Sequence, residues 1–435
     1  MNGPPNQKPA TALHLLAAVA MQVAVWLLLV YLFHARHHWY GFFDVSDITV
    51  YRQFADLFAR GLRPYCDVAF EYPPLAAPLM ILPGKLSALG DYDWVFAVEM
   101  MVACTAAAVV ATAAALRLWP GDRGPLLTSG AFALAVLLAG PIVANRFDAV
   151  VALDMAIFAY CMARRWWWVA ACALGIGFAL KLTPAMFLPL VLLLAARRRK
   201  VIFAAIAFVV AGFVPFVPHL LRGGRGLANI FTYHARRPLQ IESLLASPYL
   251  LGHTLDLVSV QVRNTFGSQS LAGPGTRAVA AISPWLLGVC LAALHALLWR
   301  RRQYLRDHPS DVPLVLLGMV LVLVCTSKVL SPQFLVWTFP LVGLAAAGRG
   351  RRRLAIGILL LGATLLTQIG FPSRYWDLVA LNRNPIVLLV LRNLGLLAVT
   401  VLTIHQIFRL GRPQADRARP AESAPGSCEA DGPVR

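Results

Sequence analysis

Along this chain the apolar positions come in long unbroken runs rather than at the alternating or three-and-four spacing of half-buried elements. Runs at 12–33, 93–116, 125–142, 201–219, 278–299, 311–327, 354–371 and 385–408 each approach the ~20 residues that span a bilayer's hydrocarbon. Shorter runs lie at 148–163, 166–181, 184–196 and 333–348. Together they predict an all-α polytopic membrane protein with about twelve transmembrane helices. The first run is too long for a signal-peptide core and has no small-x-small cleavage site before a soluble chain, so it reads as an uncleaved first helix. The stretch 73–89 is also apolar but is broken by Pro73, Pro74, Pro78 and Pro83, which suits a segment lying in the interface or dipping part-way in. Runs 166–181 and 184–196 are short enough to form a broken hairpin.

Polar residues concentrate between these runs. The expected organisation is one membrane domain over 1–410, with long loops at 34–92 and 220–277 and a tail from 411 whose Pro, Ala and charge content predicts disorder. No internal repeat is apparent. Within the first loop, 48–60 reads as an amphipathic surface helix, with Val50, Phe54, Leu57 and Phe58 on one face and Arg52, Asp56 and Arg60 on another. Gly61 then ends it.

Composition agrees with the pattern: 59% of the 435 residues are hydrophobic and 14% charged, against the ~25% charged of soluble domains. The net charge of +19 does not point to nucleic acid, because the basic residues form short clusters between apolar runs instead of one soluble face. Those clusters, Arg117/Arg123, Arg164/Arg165, Arg197–Lys200, Arg300–Arg302 with Arg306, Arg349 with Arg351–Arg353, and the tail from Arg409, fall in alternate loops. The positive-inside rule makes those loops cytoplasmic, with both termini inside and the two long loops outside a plasma membrane. Cys104, Cys161, Cys172, Cys290 and Cys325 lie in apolar runs, Cys428 lies in the tail and Cys66 lies in the first outer loop. No disulfide framework, C-x-x-C motif or metal-ligand spacing follows.

Three polar clusters could carry chemistry. In the first loop Asp44, Asp47, Asp67 and Glu71 crowd beside Tyr51, Tyr65 and Tyr72. Carboxylates accept from sugar hydroxyls and aromatic faces cover a ring's C–H side; the structural alternative for Asp47 is a first-turn acid favoured by the helix dipole after a Ser46 N-cap. The second loop carries "YHARRPLQIESLL", residues 233–245, in which Arg236 and Arg237 suit a phosphate, with His234, Gln240, Glu242 and Ser243 available to a substrate. The structural alternative there is lipid neutralisation and a Glu242–Arg pair. The third is "SKVLSPQF", residues 327–334, where Lys328 and Gln333 form a compact polar turn, unless Lys328 only snorkels. Glu99, Asp148, Asp154, Lys181 and Arg392 fall inside apolar runs. Such charges mark a functional or paired site, and Asp148–Arg146 or Asp154–Lys181 are the expected pairs.

The order of Asp47-x-x-Val50-Tyr51 after the first helix, Tyr72-Pro73-Pro74, "ALKLTPAMFLPL" at 179–190 and "SKVLSPQF" resembles the glycosyltransferase family 87 membrane enzymes over roughly residues 10–410. The resemblance implies a GT-C-like fold with interfacial jaw helices, a polyprenyl-phosphate sugar donor, a glycolipid or glycan acceptor, and a catalytic acid matching Asp47, with Glu71 in reserve. A lipid-phosphate donor is already activated, so no nucleotide site is expected, and a phosphomonoester leaving group does not call for a metal or other cofactor. The expected reaction is an inverting transfer, mannose first among the sugars, with Arg236, Arg237 and Lys328 on the donor phosphate and Asp44, Tyr51, Tyr72, His234, Gln240, Glu242 and Gln333 on the substrates. A transporter or flippase working through Glu99, Asp154 and Lys181 is the rival expectation.

Overall fold

The computed structural model describes residues 7–411 apart from 38, 45, 122 and 349; the tail expected to be disordered lies outside the described residues, as does Cys428. Its first helix, α1 (Gln7–Val30), runs on through a π-helical turn at Tyr31–Ala35. The first loop then folds into two short helices, α2 (Ile48–Ala59) and α3 (Ala76–Lys85). Gly61, at φ +85°, ends α2 in a conformation that costs glycine nothing. α2 buries Ile48, Tyr51 and Ala55, so Val50, placed on the apolar face by periodicity, stays exposed and Ile48 takes its place inside. α3 is ten residues long, too short to span, as its prolines require.

The membrane part follows the apolar runs closely. α4 (Tyr92–Leu118), α5 (Arg123–Ala139), α6 (Asp148–Arg164), α7 (Trp167–Leu180), α8 (Leu188–Ala195) and α9 (Arg198–Phe213) come first. After the second loop come α13 (Thr276–Asp307), α14 (Val312–Thr326), α15 (Phe339–Ala346), α16 (Arg351–Gly370), the short α17 (Tyr375–Val379) and α18 (Arg383–Arg409). Among the described residues eight helices are long and apolar enough to cross a membrane, and three further apolar helices are shorter. α14 is buried along its whole length, the mark of a helix at the centre of a bundle that is apolar all round. The large apolar side chains left outside, such as Leu13, Leu16 and Leu27 of α1, Phe203, Ile206 and Val210 of α9, and Trp285 and Val289 of α13, suit lipid contact. Close helix approach relies on small residues: a Cβ on Gly175 of α7 would meet the Phe208 carbonyl oxygen at 2.7 Å and the Gly212 nitrogen at 2.8 Å on α9.

The second loop departs from an all-α description. Between the short helices α10 (Val217–Leu221), α11 (Ala228–Arg236) and α12 (Ser247–Thr254) and the start of α13 stands an antiparallel hairpin, β1 (Gln261–Thr265) and β2 (Ser268–Ala272). Phe266 and Gly267 turn it with φ of +53° and +62°, both positive as a tight two-residue hairpin turn requires. The 239–241 segment pairs alongside β2, with Leu271 N–H donating to the Leu239 carbonyl at 2.8 Å and Ile241 N–H to the Gln269 carbonyl at 3.0 Å. Leu239, Ile241, Leu250, Leu271, Leu378 and Ile386 form a small core beneath it, separate from the main one.

Candidate active site

The site is assembled from loop residues brought to one end of the bundle. Asp47 stands immediately before α2, but its carboxylate does not cap that helix; Ser46 Oγ instead accepts from the Ile48 N–H at 3.0 Å. That frees the Asp47 carboxylate to face inward. Its Oδ1 lies 2.5 Å from Arg146 Nη1, with the aspartate side chain 36% exposed and the arginine 6%, and Tyr51 OH reaches its other oxygen at 3.5 Å. The aspartate therefore presents one face to open space while a buried guanidinium holds the other.

Arg146 belongs to the run Asn145-Arg146-Phe147-Asp148 that leads into α6, and each of its polar members is anchored. Asn145 Nδ2 donates to the Phe42 carbonyl at 2.6 Å. Asp148, 1% exposed, sits in the first turn of α6, where a carboxylate suits the helix dipole. Its Oδ1 accepts from Lys181 Nζ at 2.6 Å and from Trp337 Nε1 at 2.6 Å. The Lys181 ammonium, 21% exposed, lies 5.0, 5.2 and 4.9 Å from the ring centres of Phe147, Phe334 and Trp337, an aromatic setting that favours a cation. Both expected intramembrane pairs are thereby exchanged: Lys181 pairs with Asp148 rather than Asp154, and Arg146 pairs with Asp47 rather than Asp148. The reason is directional. Lys181 follows the end of α7 in extended backbone, which carries it out of the helix toward the start of α6. Asp154, six residues along α6, is left buried with Oδ2 unpartnered.

The second loop closes over this end of the bundle. Gln240 N–H donates to the Lys328 carbonyl at 2.9 Å, and Lys328 Nζ donates to the Ala235 carbonyl at 2.7 Å, so the "SKVLSPQF" turn and the "YHARRPLQIESLL" segment dock on one another. His234 stands at this junction with its side chain exposed at the surface. Crowding by the surrounding chain, with Arg237, Lys181 and Lys328 around it, holds its imidazole down to about 4 and hence neutral. Burial and Arg237 also lower the Lys328 ammonium. On the acidic side, burial raises Glu71, opposed by Arg237 and reinforced by Asp47. Arg237 thus stands between the cations and the carboxylates, its Nε buried and without a partner.

Glu242 is buried in the wall. Burial pushes it to about 7, against the pull of Arg392 and Arg146. The backbone around it is fixed from α18: Arg392 Nη2 donates to the Glu242 carbonyl at 3.0 Å, and Asn393 Nδ2 donates to the Ser243 carbonyl at 3.3 Å and to Ser247 Oγ at 2.7 Å. Arg392, an intramembrane charge in the sequence, is fully buried and serves this anchoring.

The residues singled out from the sequence separate into groups. Asp47, Glu71, Tyr72, His234, Arg237 and Lys328 share one electrostatic neighbourhood, with Glu242 linked to it through Arg146. Tyr51 is buried against Tyr72, Phe96 and Phe147 and forms wall. Gln240 and Gln333 are buried, Gln240 reaching Glu242 at 3.4 Å and Gln333 accepting from Ser331 Oγ. Asp44 is exposed, its carboxylate accepting from the Gly41 N–H at 2.7 Å in its own turn. Arg236 is exposed and is not among the charges bearing on His234 or Glu71. Asp67 pairs with Arg63 at 2.9 Å, which holds it down to about 2. Missing from the sequence-based set were Arg146, Asp148, Lys181 and Trp337 acting together, although the polar run 145–148 between two apolar stretches was visible. Among the described residues no group of three or more His, Cys, Asp or Glu side chains is arranged to hold a metal ion.

The family model of glycosyltransferase family 87 matches residues 70–332, more than half of the sequence. The chain belongs to glycosyltransferase family 87. It is an enzyme of sugar transfer, and the family stretch takes in Glu71, Arg146, Lys181, Arg237, Glu242 and Lys328 while beginning after Asp47. Among curated relatives of this family member is the polyprenol-phosphate-mannose-dependent alpha-(1-2)-phosphatidylinositol mannoside mannosyltransferase of Mycolicibacterium smegmatis. It is 28% identical over 372 residues, covering 77% of this chain and 76% of that protein. The Mycobacterium tuberculosis protein of the same name is 27% identical over 356 residues, covering 74% and 76%. Among solved structures, ArnT from Cupriavidus metallidurans bound to undecaprenyl phosphate aligns with a TM-score of 0.49 at 16% identity, covering 91% of this chain and 77% of that one.

Proposed function

We propose that this glycosyltransferase transfers mannose from a polyprenyl-phosphate donor to a hydroxyl of a glycolipid or envelope glycan. The observation that carries the reading is the proximity of a half-open carboxylate, Asp47, to the cationic group Lys181, Arg237 and Lys328 at one end of the bundle. A sugar phosphate needs both. The carboxylate takes the proton of the attacking hydroxyl, whose oxygen forms the new bond to the anomeric carbon. The bond from that carbon to the phosphate oxygen breaks, its electron pair leaves with the phosphate, and the cations stabilise the charge developing there. Because attack and departure occur on opposite faces of the sugar in a single displacement, the anomeric configuration inverts.

Arg146 has a defined part in this scheme. Its bond to Asp47 orients the carboxylate, and the donor's phosphate offers the guanidinium a competing anion. Tyr72 and Tyr233 supply aromatic walls. Two relatives bearing mannose-donor names support the choice of sugar. The charge distribution supports an extracytoplasmic site with both termini cytoplasmic, since the basic clusters sit at the opposite ends of the helices from Asp47.

The test is transfer of radiolabelled mannose from polyprenyl-phospho-mannose to an extracted lipid acceptor pool, by wild type and a folded Asp47→Asn variant. Transfer by wild type with a loss of about 100-fold or more in the variant is the expected result. Equal activity in the variant refutes the role of Asp47 and moves attention to Glu71.

A further inference from the structure

The helices that build the active site also build a hollow at their far ends. α6 leaves the site at Asp148 and ends at Arg164, roughly 25 Å away at 1.5 Å per residue; α7 returns from Trp167 to Lys181; α14 runs from Val312 back toward Lys328. Three turns meet at that end: the one joining α6 to α7, the one joining α8 to α9, and the one joining α13 to α14. Between them lies a concavity of about 160 Å³, open on one side.

Its lining has two characters. Leu194, Leu305 and Val312 make an apolar floor, and Arg165, Arg197, Lys200 and Arg306 stand around it. Among the described residues no carboxylate lies within 4.0 Å of any of these four cations. Two are held in place by backbone: Arg306 Nη2 donates to the Leu193 carbonyl at 2.5 Å, and Arg165 Nη2 donates to the Arg306 carbonyl. Arg306 Nε remains buried and unpartnered. Arg197 and Lys200 stay exposed at the rim. The depth is marked by aromatic residues. Trp166, Trp167 and Trp168 follow one another in the turn into α7, Trp167 lining the hollow and Arg164 stacked 4.7 Å over Trp166, and tryptophan beside arginine is the composition of the headgroup level.

We propose that this hollow binds the phosphate of an anionic phospholipid in the leaflet facing away from the active site, with the start of the acyl chains against the apolar floor. A topological signal requires positive charge only on one side of the membrane; it requires neither convergence on a hollow nor guanidiniums fixed without counter-ions. Four uncompensated cations over an apolar floor at headgroup depth match a ligand that is anionic at one end and apolar at the other. A free phosphate would satisfy the cations and leave the floor exposed.

The full-length protein, delipidated in detergent, is titrated with phosphatidylglycerol or with phosphatidylcholine of the same acyl chains, and the first bound lipid is read by native mass spectrometry. The expected result is tighter binding of phosphatidylglycerol by wild type. At about 1 kcal/mol per basic residue, the double variant Arg197→Gln/Lys200→Gln loses affinity by about thirtyfold. The double variant Arg351→Gln/Arg352→Gln, which removes the same charge at the same end outside the hollow, keeps wild-type affinity. Equal binding of the two lipids by wild type, or equal losses in the two variants, overturns the proposal. Displacement of phosphatidylglycerol by millimolar inorganic phosphate assigns the hollow to a free anion and overturns it as well. Because the rim residues are exposed and remote from Asp47, mannosyl transfer by these variants in detergent is independent of the outcome.

Discussion

At the scale of single residues the site turns on where one lysine and two aspartates point. Lys181 and Asp154 look equivalent in the sequence, each an ionisable group in an apolar run, yet the fold uses them differently. Lys181 is bonded to Asp148 and caged by the rings of Phe147, Phe334 and Trp337, whereas Asp154 is buried with an unpartnered oxygen against Gly177. Lys181→Met is therefore expected to lower mannosyl transfer by at least about tenfold through loss of phosphate stabilisation, and Asp154→Asn to retain near-wild-type transfer, both read in the radiolabel assay. The reverse ranking would restore a transport role to Asp154. His234 gives a pH signature. Its folded value of about 4 lies below the 6.5 of the unfolded group, so the unfolded chain binds more protons between those limits and stability falls as pH drops through that window. Thermal unfolding of wild type against His234→Gln should show wild type losing ground progressively below about pH 6.5. Much of this scale was legible: an acid beside tyrosines after the first helix, and a basic second loop, both stand out because polar groups are costly at a membrane and are seldom idle. The pairings were not, since Asp148 and Lys181 are separated by a full helical hairpin whose geometry no local spacing encodes.

At the scale of elements, apolar run length translated directly into helices, because a backbone in hydrocarbon must satisfy its own hydrogen bonds. The first-loop surface helix also followed from its periodicity, ending within a residue of expectation at Ala59. The hairpin at 261–272 did not. Its strands, QVRNT and SQSLA, are short and largely polar, its turn is Phe-Gly rather than Asn-Gly, and it gains stability from the 239–241 segment lying alongside. Contact between α7 and α9 was likewise silent in the sequence, where Gly175 and Gly212 read only as tolerated glycines. Gly175→Val is predicted to destabilise by about 1–3 kcal/mol through overpacking. The cause is direct: the new Cβ would meet backbone, the Phe208 carbonyl oxygen and the Gly212 nitrogen, which cannot rotate away. A lowered unfolding temperature in detergent with the site chemistry unchanged checks it.

For the whole molecule, orientation is the open quantity with a direct test. The charge pattern predicts Cys66 outside and Cys428 inside, and Cys66 is partly exposed while Cys104, Cys161 and Cys325 are buried. A membrane-impermeant maleimide applied to intact cells should label the wild type at Cys66 and not the Cys66→Ser variant, with Cys428 reacting only after permeabilisation; labelling in the opposite order would invert the molecule and its active site. The amino-acid sequence by itself determined that this is a helical membrane protein, where its apolar helices fall, and which loops gather polar and charged residues, because hydrophobic run length and charge placement are properties of contiguous residues. The tertiary structure alone decided that Arg146 faces Asp47, that Asp148 holds Lys181 and Trp337, that Glu242 is anchored from α18, and that four basic residues from three separate turns surround one hollow. Those facts depend on which helix ends meet in space, and that is fixed by packing among residues 33 to 189 positions apart in the chain.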